Sequence, residues 1–374
     1  MWTENSGEAR CNMKYAYWLA NIPKINSTKI ELLYECASCA EEIYRLSYSE
    51  LNKIAGLTEA DAKAIYLSKR EWNLDKQWFS LMERGIGFVS KEQGEFPEKL
   101  KYIPNAPYAL YYVGKLPEEK RKSIAIVGAR GRSAYGSEVA KQLSKTLSLH
   151  GVQVISGLAK GIDGDAHKGA LDGNGDTFAV LGCGVDVCYP KDHRYLYERI
   201  IETGGIISEY PPGTAPVAWQ FPARNRIISG LSDCVVVIEA KEKSGSLITA
   251  DFAMEQGRDV YALPGRITDP LSQGCNKLIK QGAGIVESVE DFMADLDILT
   301  EMTYTQMDFR KNLLEKDERL VYSLTDFRPI SVSTLMERTE ISISRLLEIL
   351  EHLEGLGLIK ETFTNYYIRT FMDS

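Results

Sequence analysis

The sequence predicts an α/β protein: an extended Rossmann-like, doubly wound parallel sheet flanked by a small N-terminal helical domain (helix-hairpin-helix or SAM-like) and a C-terminal winged-helix domain. Three observations carry this. Between residues 89 and 299, short apolar runs alternate with helical patterns. The runs do not themselves alternate with polar residues, so both faces of the sheet should be covered. The segments of unusual composition follow the runs, at the carboxyl ends of the strands, where doubly wound sheets hold ligands.

The chain has 374 residues, enough for two or three domains. The expected boundaries are 1–88 (helical), 89–299 (sheet), 300–312 (linker, opening with the polar "TEMTYTQMDF") and 313–374 (winged helix). No apolar run approaches the ~20 residues of a membrane helix. The start, "MWTENSGEAR", carries no signal-peptide core, so a cytoplasmic protein without a membrane partner is expected. Seven scattered cysteines argue against a disulfide framework. Cys36 and Cys39 form a CxxC without a second ligand pair, read as two small residues on one helix rather than as a metal site. The net charge of −8 excludes a protein coated in basic charge but not a local basic patch.

In the N-terminal domain, "IPKINSTKIELLYE" and "IAGLTEADAKAIYLSK" share a form: an apolar pair, a polar turn, an amphipathic helix. Thr58 and Asp61 suit a capping box. The second segment has the turn glycine of a helix-hairpin-helix unit at Gly56; the first lacks it.

The expected strands are 124–128, 152–156, 177–181, 205–209, 234–239, 259–263 and 283–287. After the first comes "GARGRS". Its spacing is not G-x-G-x-x-G, and no acidic residue closes the second strand, so a dinucleotide cofactor is not expected, nor any other. Gly128 permits close backbone approach, the next helix offers free N–H groups, and Arg130 can bond a phosphate. The second strand leads to "SGLAKGIDGDAHKGAL". Asp163 suits a helix N-cap; Asp165 and His167 read as structural, because no nucleophile stands beside them. The third leads to Tyr189-Pro190-Lys191, with Arg194 nearby. The fourth leads to "FPARNR", where Arg224, Asn225 and Arg226 at a helix start suit a phosphate, and Phe221 a base. Phe221 and Tyr189 are equally candidates for core. The fifth leads to Ser244, Gly245 and Ser246, a nest of N–H groups and hydroxyls. The expected binding set is therefore Gly128, Arg130, Lys191, Arg224, Asn225, Arg226, Ser244, Gly245 and Ser246, with no catalytic and no metal residues.

The motifs "VGAR…SAYG", "SGLAKGID..AH..AL", "GCGVDVCYP", "SEYPPG", "FPARNRIISGLS", "VVVIEA…SGSLITA" and "YALPG", in order over about 90–290, resemble the DprA (Smf) family of DNA-processing proteins. The lead-in "FPEKLKYIPNAPYALYYVGKL" is similar as well. The resemblance implies a cytoplasmic homodimer that binds and protects single-stranded DNA and helps load the RecA recombinase in natural transformation, and not an enzyme. His193 stands where that family often has Asn, which leaves the contact at that position open; Lys191 is kept.

Two other readings compete. The strand–"SGSLIT"–helix segment is also similar to nucleotide phosphoribohydrolases, with Glu239 at a strand end, but the Pro-Gly-Gly turn of those enzymes is missing. The winged helix suggests duplex DNA. However, residues 313–374 hold seven Lys and Arg against eleven Asp and Glu. Glu348, Glu351 and Glu354 should line one side of the candidate recognition helix, opposite a buried face of Leu346, Leu347, Leu350 and Leu353. That charge repels phosphate, so a protein-contact role is expected there.

Overall fold

The computed structural model describes residues 7–298, 314–326 and 329–369, with side chains from Met13 onward. The linker expected at 300–312 lies outside the described residues.

Six helices come first: α1 (Gly7–Ala20), α2 (Ser27–Tyr34), α3 (Ala40–Arg45), α4 (Tyr48–Leu51), α5 (Glu59–Glu71) and α6 (Leu74–Glu83). The two similar segments fold alike. Asn26 caps α2 through Lys29 N–H, and Thr58 caps α5 in a capping box with Asp61. The turn glycine of the second unit, Gly56, has φ +87°, and its counterpart Lys24 takes φ +68°. A lysine thus occupies the left-handed position in which the sequence lacked a glycine, at a cost of about 1–2 kcal/mol. Lys29 pairs with Asp61 at 2.6 Å and ties the two units together. Cys36 and Cys39 do not share a helix: α2 ends at Tyr34, and Cys39 is the N-cap position of α3.

The sheet has nine strands: β1 (Gly87–Ser90), β2 (Ala109–Gly114), β3 (Ser123–Val127), β4 (Gln153–Ser156), β5 (Thr177–Val180), β6 (Gly205–Ser208), β7 (Cys234–Val237), β8 (Asp259–Ala262) and β9 (Gly284–Ile285). Their order is β1-β2-β6-β5-β4-β3-β7-β8-β9. From β6 to β9 every pair is parallel, as the unbroken apolar runs require. The sheet is not wholly parallel, because β1 and β2 extend its edge antiparallel. Short helix α7 (Glu98–Lys101) joins them. The remaining connections are α8 (Ala134–Leu149), α9 (Ile162–Asp172), α10 (Arg194–Thr203), α11 (Gln220–Gly230), α12 (Gly245–Glu255), α13 (Gln273–Lys280) and α14 (Val289–Asp295). The boundary expected at 88/89 falls inside β1, and the core there is continuous: Trp18, Leu33, Ile43 and Ile65 of the helices share one cluster with Tyr111, Ala179, Leu181 and Ile206 of the sheet region.

The C-terminal unit contains α15 (Lys316–Leu324), β10 (Ile330–Ser331), α16 (Val332–Thr339), α17 (Ile343–Gly355), β11 (Ile359–Phe363) and β12 (Tyr366–Arg369), with strand order β10-β12-β11. It has its own core, including Val321, Leu335 and Ile359. On α17 the buried face is Leu346, Ile349, Leu350 and Leu353, while Leu347 is exposed. The expectation for Leu347 is corrected: the i, i+3, i+4, i+7 row runs through Ile349, and Leu347 lies about 100° off it. Glu348, Glu351 and Glu354 are all exposed.

Candidate nucleic-acid interface

Strand order reverses between β3 and β7. From β3 the chain moves toward β4, β5 and β6; from β7 it moves toward β8 and β9. Loops leaving two such neighbours part in opposite directions and open a crevice. A cavity of about 660 Å³ lies there, lined by Gly128–Gly131 after β3, by Lys241 and Lys243–Ser246 after β7, and by Tyr189 and the start of α11.

The turn after β3 divides its work between the two faces of the loop. Ser133 caps α8, accepting from Gly136 N–H at 2.9 Å. The carboxylate of Glu239, just beyond β7, accepts from Ser133 N–H at 2.9 Å and Ser133 Oγ–H at 2.5 Å. A Cβ on Gly136 would stand 2.4 Å from that carboxyl carbon, so glycine here admits Glu239. The N–H group at the N-cap of α8, where the sequence predicts free groups for an external anion, is therefore already occupied by an anion of the chain itself, and helix N-termini favour negative charge. Gly128 is likewise small for an internal reason: its Cβ would stand 2.7 Å from Ile162 of α9. Arg132 turns inward onto Asp165, donating from Nη2 at 3.2 Å. Arg130 is the residue of this turn that faces out. It is exposed, and its guanidinium lies 6.0 Å from the centre of the Phe221 ring. Phe221 in turn lies 5.4 Å from Tyr189, with the two planes tilted by 33°. Tyr189 is 44% exposed, so it belongs to the wall of the cavity and not to the core.

The two arginines of "ARNR" separate. Arg224 lines the cavity but is only 4% exposed. Its Nη1 donates to Gly157 O at 2.9 Å and to Val180 O. Burial pulls its pKa down to about 10, against the opposing pull of Asp163. It is a charged pillar under the floor, with Nε and Nη1 already engaged, and not the open fork expected from the sequence. Arg226 does not line the cavity. It donates to both oxygens of Glu209, at 2.7 and 2.5 Å, and to Asn105 O at 2.8 Å. Two residues along a helix is a rotation of about 200°, which is why neighbours in sequence part here. Asn225 bridges two helix starts: Oδ1 accepts from Arg224 Nε at 3.2 Å and Nδ2 donates to Gly245 O at 3.2 Å.

Asp163 is not an N-cap. That position belongs to Gly161, and the Asp163 carboxylate, two residues on in the first turn, accepts from Gly157 N–H at 3.2 Å. Burial raises its pKa, with Arg224 pulling the other way. His167 is fully buried. Thr177 Oγ1 donates to Val154 O at 2.9 Å, so the His167 Nδ1–H donates to that hydroxyl at 2.7 Å. Burial holds the pKa of the ring down to about 3, so it is neutral and structural, as expected.

Lys191 sits on the 3-10 turn Lys191–His193, exposed, and does not line the cavity. In the same turn His193 donates from Nδ1 to Leu158 O at 3.0 Å and packs on Gly164, giving the histidine a local structural task. At the far side, Ser244 caps α12, with its Oγ 2.8 Å from Ser246 Oγ. Lys241 and Lys243 line the cavity beside it and are exposed; neither forms an ion pair among the described residues. Sequence reasoning missed both, because Glu242 between them makes "KEK" look neutral. Their position directly after a strand at the switch point was the available signal. Arg130, Arg224, Lys241 and Lys243 thus face one cavity whose only lining carboxylate among the described residues is Asp163, near Arg224. Glu239 lines a neighbouring cavity instead, with Tyr135, Arg266 and Asp326. No helix among the described residues is long and apolar enough to cross a membrane.

Residues 87–297 match the profile of a family described as DNA recombination-mediator protein A. The chain is 46% identical over 282 residues to the DNA processing protein DprA of Streptococcus pneumoniae, covering 73% of this chain and 99% of that protein. It is 34% identical over 317 residues to protein Smf of Synechocystis, covering 83% and 79%. Among solved structures, the X-ray structure of DprA from Streptococcus pneumoniae matches with a TM-score of 0.67 at 36% identity, over 75% of this chain and 97% of that one. DNA processing protein A from Helicobacter pylori, solved for its single-stranded DNA binding mode, matches with a TM-score of 0.51 at 29% identity, over 56% and 95%.

Proposed function

The chain belongs to the DNA recombination-mediator protein A family, and on that premise we propose that it holds single-stranded DNA in the β3–β7 cavity and delivers it to a RecA-type recombinase during DNA uptake and recombination. One observation carries the reading: four cationic side chains and a tilted aromatic pair line one crevice in which, among the described residues, Asp163 is the single lining carboxylate. Arg130, Lys241 and Lys243 supply phosphate contacts, Arg224 supplies positive potential from below, and Tyr189 and Phe221 offer ring surface to a base. Lys191, Asn225, Ser244, Gly245 and Ser246 complete the proposed set, with Lys191 on the approach and Gly128 as scaffold. Arg226 is left out, because Glu209 holds it. The relative solved for its single-stranded DNA binding mode supports the choice of ligand. The family description supports a hand-over to a recombinase. A homodimer fits the open sheet edge at β9, where Ile285 is exposed. The role is binding, not turnover: Glu239, which the phosphoribohydrolase reading needs, is engaged on Ser133 outside the basic cavity.

The test is fluorescence anisotropy with a labelled 20-mer oligothymidylate over a salt series. Log affinity should fall linearly with log salt, with a slope of about 0.7 per phosphate contacted. Arg130→Glu combined with Lys243→Glu should weaken binding about 100-fold or more, since each charged contact is worth about 1.5–3 kcal/mol. Wild-type affinity in this folded double variant would refute the site.

A further inference from the structure

Beyond the cavity, the strap from Glu209 to Trp219 carries aromatic surface with no role so far. It leaves the end of β6 and returns to α11, and it is pinned along its length. Gly213 N–H donates to Asp186 Oδ1 at 2.7 Å, Gly184 N–H donates to Thr214 O at 3.0 Å, and Val217 N–H donates to Oε1 of the buried Gln220 at 2.8 Å. A loop held by these bonds does not need a large apolar side chain in solvent. Yet Trp219 is 64% exposed. Its ring meets Tyr210 at 6.2 Å between centroids, with the planes at 83°. A perpendicular contact covers at most one face of an indole, so at least one face stays open. Trp219 is also next to the basic cavity: its neighbour Ala218 and nearby Pro216 line it, and Phe221 two residues on belongs to its aromatic wall.

We propose that Trp219 is a second stacking station, against which a base of the strand lies as it leaves the cavity. This rests on the single-stranded DNA reading above and extends its footprint past Phe221 and Tyr189. The chemistry suits a nucleic acid. Every base has a π-face, so stacking on an indole tolerates any sequence, while the neighbouring cations hold the backbone in register. The pinned strap means that little ordering is required when the base docks.

The experiment uses the full chain and two probes: a 20-mer oligothymidylate, and the same strand with its bases replaced by abasic sugars. On the first probe, Trp219→Ala should weaken binding by about 5- to 100-fold, and Trp219→Phe should keep most of the affinity. On the abasic strand, Trp219→Ala and wild type should bind equally, because there is no base to stack. Unchanged affinity of Trp219→Ala for oligothymidylate overturns the proposal, and so does an equal loss on both probes, which would assign the residue to backbone positioning. Unchanged affinity with an altered sedimentation coefficient overturns it in favour of a protein contact. Arg130→Glu serves as the reference. If Arg130→Glu weakens binding and Trp219→Ala does not, only the second station fails; if neither does, the cavity reading itself fails.

Discussion

Two helix starts flank the switch point, and they differ in what their N–H groups meet. At α8 the first turn follows a glycine-containing loop after β3, the place where an external phosphate is usually sought in such sheets. There Glu239 reaches across from the end of β7 and bonds Ser133 through both its N–H and its hydroxyl. At α12, the Ser244–Ser246 turn has no carboxylate on it, and Lys241 and Lys243 stand beside it in the cavity. The difference teaches that a helix N-terminus is a site only when the chain has not filled it. One buried carboxylate makes the first a structural joint between α8 and β7, and leaves the proposed ligand face to the other side of the loop, where Arg130 is exposed.

The contrast can be broken experimentally. Glu239→Ala should have the larger effect, on stability: two charge-assisted bonds are lost and a half-buried Ser133 N–H is left without its partner, about 2–4 kcal/mol in all. Chemical denaturation reads this, and single-strand affinity of the folded fraction should stay within about twofold. An affinity loss with intact stability would show that Glu239 serves the ligand instead. Ser244→Ala should cost about 1 kcal/mol of stability through the lost cap, and, unlike Glu239→Ala, it should also reduce oligothymidylate affinity severalfold in the same anisotropy assay. The smallest effect is expected from truncation after residue 310. The removed unit is acidic on α17 and meets the other side of α8, where Lys360 pairs with Glu138. Single-strand affinity of the truncated protein should change less than about threefold at a fixed salt concentration. A tenfold loss, about 1.4 kcal/mol, would mean that the C-terminal unit also holds DNA.

The sheet was legible because its signal is local. Unbroken apolar runs such as "CVVV" declare a strand buried on both faces, and all seven expected strands are present within a few residues. The strands β1 and β2 went unread because "GFVS" and "ALYYVG" are isolated, and their antiparallel pairing is decided by β6, far away in the chain. The site was legible to the level of loops but not of atoms. Arg224 and Arg226 are equivalent in sequence; only Glu209 and the carbonyls of Gly157 and Val180 distinguish them. The role of Gly128 depended on Ile162, and that of Gly136 on Glu239. Each partner lies tens of residues away, where periodicity carries no information.

The shared core of the N-terminal helices and the sheet also orders events on the ribosome. Helices α1–α6 are synthesised first, with their caps and turns complete. Yet the side chains that close their core, Tyr111, Ala179, Leu181, Leu196, Ile200 and Ile206, come from segments made much later. Until those emerge, the core is covered from the helix side alone, where Trp18 meets Tyr44 and Tyr17 meets Trp72 and Trp78, while the Tyr111 side of Tyr17 stays open. The helical segment is thus secured only after segments made later, and the nascent protein keeps the sheet-facing side of that core open until β6 has left the exit tunnel.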